Sequence, residues 1–149
     1  MKRFSTYVFT AALAVLTIGC KKDSTAPTVT KTDLLTGKSW KATDIKHGGG
    51  SIFALVSACS KDDLVQFNLN KTAVFDEGAQ RCTAIAPQTS TGSWDFTDNE
   101  TTLKTTTAAG VVKEETIVTL NSTTLVLSRV FTLYGSNNSL LYEVTYTAQ

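Results

Sequence analysis

The sequence predicts an all-β fold: an eight-stranded antiparallel up-and-down barrel with one short helical turn at its start. Three observations carry this. Apolar and polar residues alternate along eight short runs separated by turn residues at hairpin spacing. Threonine is abundant and, with Val, Ile, Leu, Phe and Tyr, favours strands. Long helical patterns are absent, only two Pro occur, and Gly falls mostly at turn-like points. Closing the sheet on itself is the most economical arrangement because it leaves no open edge.

The elements follow in chain order. Lys2 and Arg3 precede Tyr7 to Ile18, a nearly uncharged apolar run closed by Gly19-Cys20. This is the layout of an export signal, and about a dozen apolar residues fall short of the roughly 20 that span a bilayer. The stretch Leu16-Thr17-Ile18-Gly19-Cys20 resembles the lipobox of bacterial lipoproteins, with Thr17 where that motif prefers Leu. The resemblance implies cleavage after residue 19 and lipidation of Cys20. Each buried CH2 of such a lipid contributes about 0.8 kcal/mol, so several chains on one cysteine hold a protein at a membrane. Residues 1–19 are thus expected to be the signal, 20–31 a polar flexible tether and 32–149 the folded domain. Within the tether, Asp23-Ser24-Thr25 resembles a short O-glycosylation acceptor of Bacteroidetes, but three residues match by chance often, and plain solvated tether is the preferred reading.

Asp33 to Gly37 reads as a helical turn, with Asp33 as cap and Gly37 as stop. Ser39 to Lys46 alternates as a strand, placing Trp40, Ala42 and Asp44 on one side. Gly48-Gly49-Gly50 is a loop, and Ile52 to Ala58 is too short to assign to helix or strand. Leu64 to Leu69 puts Val65, Phe67 and Leu69 on one face; Asn70-Lys71 turns it into Thr72 to Phe75. Thr91 to Thr97 and Thr101 to Thr106 form the next hairpin through Asp98-Asn99-Glu100. Val112 to Leu120, Thr124 to Tyr134 and Ser139 to Thr147 complete the set, the last with Leu140, Tyr142, Val144 and Tyr146 on one face.

The chain has 149 residues and net charge +1, so removal of the first 19, with Lys2 and Arg3, leaves 130 residues near −1. No basic patch suggests a nucleic-acid partner. Cys59 and Cys82 remain after Cys20. In an exported, oxidising setting the pair reads as a disulfide; two buried thiols or a metal site are the alternatives, the latter poorly supplied because His47 is the only histidine.

A family resemblance spans almost all of the mature chain. It rests on the order of Leu34-Leu35-Thr36-Gly37-Lys38-Ser39-Trp40, then Cys59 with Lys61-Asp62-Asp63, the hairpin Phe67 to Gly78, Cys82, Thr91-Gly92-Ser93-Trp94 and Thr124-Leu125-Val126-Leu127. This order is similar to the lipocalin-like lipoproteins of Bacteroidetes. The resemblance implies a short N-terminal helix, an eight-stranded barrel and often a disulfide between the two cysteines. Lipocalins carry Gly-X-Trp in the first strand, whereas two residues separate Gly37 and Trp40 here.

No constellation in the sequence points to catalysis, a metal or a cofactor. Gly37-Lys38-Ser39 lacks the upstream Gly of a phosphate loop, Thr32 standing there, and precedes a strand. His47 reads as a solvated loop residue, and the acid pairs Asp62-Asp63 and Asp76-Glu77 as solvated hairpin ends, which would become of interest only inside a cleft with a raised pKa. The aromatic set Trp40, Phe67, Phe75, Trp94, Phe96, Tyr142 and Tyr146 is the candidate lining of a barrel cavity, against the alternative of a filled core. The expected protein is a monomeric, non-enzymatic binding protein for a small apolar ligand. It is expected to be held by lipid in the bacterial cell envelope, with the outer membrane favoured. A solid-cored accessory to an envelope complex, or a module for glycan capture, is the alternative.

Overall fold

The computed structural model describes residues 28–132 and 139–149. The signal, Cys20, Asp23-Ser24-Thr25 and the expected turn from Gly135 to Asn138 lie outside the described residues. Helix α1 (Lys31–Leu35) leads into β1 (Ser39–His47), β2 (Gly50–Ser51), a 3-10 turn (Phe53–Leu55) and α2 (Ala58–Lys61). Then come β3 (Leu64–Phe67), β4 (Thr72–Asp76), β5 (Thr89–Thr97), β6 (Thr102–Thr106), β7 (Val112–Leu120), β8 (Thr124–Thr132) and β9 (Ser139–Ala148). From β3 to β9 each strand pairs antiparallel with the next, and β1 pairs with both β3 and β9. Eight strands therefore close into a barrel, and the two-residue β2 is an appendage on the end of β1.

One end of the barrel is shut. Thr30 caps α1 by accepting from the Asp33 amide at 3.1 Å, while the Asp33 carboxylate accepts from the Thr30 amide at 2.9 Å. The cap is therefore Thr30 and not Asp33, whose carboxylate closes the reciprocal bond. Lys31 donates to the Glu100 carbonyl in the β5–β6 turn, and Lys38 donates to the Ser122 carbonyl in the β7–β8 turn at 2.8 Å. Leu35, at the end of α1, is completely buried with Trp40, Phe67, Ala73, Trp94, Leu103, Leu125 and Leu127 in the core. Phe67 and Phe96 each meet Trp94 edge-on, with ring centroids 5.8 and 5.3 Å away. This end is solid.

The opposite end carries the β2–α2 connection, the β4–β5 connection and the β6–β7 turn. Cys59 of α2 is disulfide-bonded to Cys82 of the β4–β5 connection, their Cα atoms 5.1 Å apart. β1 pairs with β3 only from Ser39 to Lys41, so above Lys41 the wall parts and the segment around α2 occupies the gap.

Two local expectations are corrected. A bulge between Ala42 and Asp44 reverses the alternation of β1: Trp40 and Ala42 pair opposite Ala148 and Tyr146, but beyond the bulge Ile45 and His47 face the same way, opposite Val144 and Tyr142. Asp44 therefore lies on the other face and binds the Ser51 hydroxyl. Leu69 lies past the end of β3 and is 71% exposed, because the chain already turns at Asn68 to Lys71. The segment Ile52 to Ala58, which the sequence leaves open, is a single 3-10 turn followed by the start of α2.

Candidate ligand cavity

Above the packed core the barrel interior opens into a cavity of about 260 Å³. Trp40 and Ala42 of β1, Val65 of β3, Phe75 of β4 and Tyr146 of β9 supply its apolar and aromatic walls. Thr105 of β6 and Lys113 and Glu115 of β7 reach it from across the barrel, and Ser60, Asp63, Asp76 and Glu77 line it from the side of the parted wall. Inward alternation places these groups: Thr105 follows Leu103 by two residues, and Lys113 and Glu115 precede Ile117, which packs on the core, by four and two.

The aromatic set expected from the sequence divides between two layers. Trp40, Phe75 and Tyr146 line the cavity, whereas Phe67, Trp94 and Phe96 belong to the solid core beneath it. Trp94 is fixed there by its indole N–H, which donates to the Asn68 carbonyl at 2.9 Å, and by the Lys71 ammonium 4.0 Å from its ring centre. Tyr142 lies outside both layers, its ring 4.8 Å from that of His47. His47 is thus the last residue of β1, half-buried against Tyr142, rather than a solvated loop residue.

The acid pairs also depart from solvated hairpin ends. The pairing of Leu64 with Asp76 brings Asp62-Asp63 and Asp76-Glu77 together at the mouth. Asp62 accepts from the Ala79 and Gln80 amides at 2.7 and 2.9 Å, and Asp76 accepts from the Gly78 amide at 2.9 Å and the Gln88 side chain at 2.7 Å. These two carboxylates organise the start of the disulfide-tied connection. Asp63 and Glu77 remain on the cavity wall, and one carboxylate oxygen of Asp63 is buried without a hydrogen-bond partner. Burial raises the Asp63 pKa above its ordinary value, and the negative charges of Glu77, Asp62 and Asp76 raise it further.

Glu115 is not among the residues that the sequence singles out. Its signal is a charge on the inward face of a strand whose next inward residue is Ile117. It is only 9% exposed and sits 3.8 Å from the Arg129 guanidinium, outside hydrogen-bond range. Burial raises its pKa, and the Arg129 and Lys113 charges oppose that shift. Burial also raises the pKa of the Tyr146 phenol, with the Glu115 charge adding to it. Among the described residues, no three His, Cys, Asp or Glu side chains converge in a way that could hold a metal ion. Gly37-Lys38-Ser39 serves as the link between α1 and β1, the Lys38 ammonium lying 5.3 Å from the Trp40 ring centre.

A closed antiparallel barrel, shut at one end by a helix and open to a cavity at the other, is an architecture that can enclose a small molecule. Residues 35–127 match the family model for the lipocalin-like domain, and the chain belongs to that family. No curated protein matches the chain.

Proposed function

We propose that this chain is a non-enzymatic binding protein that holds a small ligand inside its barrel, tethered to the bacterial cell envelope through lipid on Cys20. The observation that carries the binding role is the 260 Å³ cavity, with Trp40, Phe75 and Tyr146 on its walls. Ligand sites combine apolar walls with a few placed polar groups, and this cavity has both. The filled lower half of the barrel favours a solid-cored accessory protein only for that half. The hollow upper half favours a carrier.

The tether is supported by the lipobox-like Leu16 to Cys20 and by the placement of α1. The chain enters the barrel at its shut end, so a lipid on Cys20 would attach that end and leave the mouth opposite. The ten residues from Cys20 to Val29 could extend over roughly 35 Å at most. The outer membrane is the favoured location. Mass spectrometry of organic extracts from protein purified out of envelope membranes tests the binding role: a co-purifying small molecule is expected, and repeated empty extracts together with no saturable binding of small amphiphiles would overturn it. Intact mass tests the tether. Loss of residues 1–19 with acyl mass on Cys20 is expected, and Cys20→Ser should release the protein from the membrane fraction.

A further inference from the structure

We propose that the ligand is a small organic cation: an ammonium group on a compact apolar body. This rests on the cavity being the ligand site and names the chemistry that the site selects. Four carboxylates line the cavity, Asp63, Asp76, Glu77 and Glu115, against one ammonium, Lys113. Asp76 is already engaged by Gly78 and Gln88, and among the described residues Glu77 accepts only a long bond from the Cys82 amide at 3.4 Å.

One of these groups is placed where a carboxylate is costly without a partner: Asp63 has a buried oxygen with no hydrogen-bond partner. Glu115 is buried on the far wall and ion-paired with Arg129 at 3.8 Å, so it adds negative charge that is only partly compensated. Buried polar groups in folded proteins are normally satisfied, so the Asp63 oxygen is suited to a partner carried by the ligand. An anion would add to the negative charge of the wall. A neutral apolar ligand would expel water from the carboxylates and return nothing to them. A cation neutralises them, and the aromatic side chains of Trp40, Phe75 and Tyr146 in the wall suit an apolar body beside the charge. A metal ion lacks a donor set among the described residues, which leaves an organic cation. The 260 Å³ volume lies just below the range of about 300–1,000 Å³ usual for ligand sites, and so favours a compact molecule over a long-chain lipid.

Calorimetric titration of the full chain with three probes of one skeleton tests this: 3-phenylpropylammonium, 3-phenylpropanol and 3-phenylpropionate. The ammonium is expected to bind at least tenfold more tightly than the alcohol, and the carboxylate not at all. Glu77→Gln, at the mouth, and Glu115→Gln, inside, should each reduce the ammonium's advantage several-fold while leaving the alcohol's affinity unchanged. Glu77→Gln keeps the test valid if Glu115→Gln fails to fold. Equal binding of ammonium and alcohol, or tighter binding of the carboxylate, would overturn the charge selectivity while leaving the cavity a ligand site. Saturable binding of none of the three would overturn both.

Discussion

The indole nitrogen of Trp40 donates to the main-chain oxygen of Leu35 at 2.8 Å, so the first strand of the barrel is bonded to the helix that shuts its end. Both residues are completely buried. The bond joins floor and plug, since Trp40 also forms part of the cavity wall above. Trp40→Phe should cost roughly 1–3 kcal/mol by leaving a buried carbonyl without its donor. Trp40→Ala should cost about 3–5 kcal/mol by adding a void. Denaturant unfolding measures both, and an unchanged midpoint for Trp40→Phe would show that the bond contributes nothing.

The Cys59–Cys82 disulfide ties α2 to the β4–β5 connection across 23 residues of chain. Its removal in a Cys59→Ala/Cys82→Ala double variant should cost about 3 kcal/mol in the chain-entropy account. The structural disturbance should be local, because the core at the shut end shares no residue with the bridge. Hydrogen exchange should rise most in residues 57–63 and 77–88, whereas the most protected amides of β5 to β8 should accelerate only by the loss of global stability. Equal acceleration of both sets would contradict this placement.

Glu115 makes stability depend on pH. Its carboxyl is held above the ordinary 4.5, chiefly by burial, so the native state binds its proton more tightly than the unfolded chain does. That contribution is fully present below 4.5 and is lost as pH rises through the elevated native value. Asp63 acts in the same direction from its ordinary 3.8. Stability of Glu115→Gln relative to the parent should therefore increase between acid and neutral pH. Unfolding curves at several pH values measure this, and parallel profiles would remove Glu115 as the source.

Tyr146 gives the alkaline counterpart. Burial holds its phenol well above the ordinary 10.0, so its contribution is intact below that value and disappears as pH climbs beyond it. Spectroscopic titration should show Tyr146 ionising only as the barrel unfolds. Tyr146→Phe should abolish that late phase and move alkaline unfolding to higher pH. A normal titration of Tyr146 in folded protein would disprove the burial.

Gly78 sits with φ +65° against the Asp62 backbone, where a Cβ would collide with the Asp62 carbonyl. Gly78→Ala should destabilise by about 1–3 kcal/mol from the backbone conformation alone, with the collision adding to it. It should also displace the amides of Ala79 and Gln80 from the Asp62 carboxylate, and so weaken ligand binding at the mouth. Thermal unfolding and the calorimetric titration read the two effects separately.

The strand runs are legible because each pairs a period-two pattern with turn residues at its ends, as in Leu64 to Phe67 and Thr72 to Asp76. The capping of α1 is legible in kind but displaced by three residues, since Thr30 and Asp33 are both good caps and only the geometry chooses between them. The face of Asp44 is not legible. A bulge adds one residue without any mark in composition, and one residue inverts the alternation that follows. The aromatic set is legible as inward-facing for Trp40, Phe67, Phe75, Trp94, Phe96 and Tyr146, but its division into core and cavity wall is not.

The sequence by itself determined the antiparallel order, the pairing partners available to its cysteines and the inward faces of strand runs without a bulge, because these depend on local periodicity and chain order. Only the tertiary structure decided that Asp62-Asp63 and Asp76-Glu77 meet, that Glu115 joins them from the far wall, and that the barrel is solid at one end and hollow at the other. Those outcomes depend on register between strands distant in sequence and on how side-chain volumes sum across a closed barrel, neither of which a single strand carries.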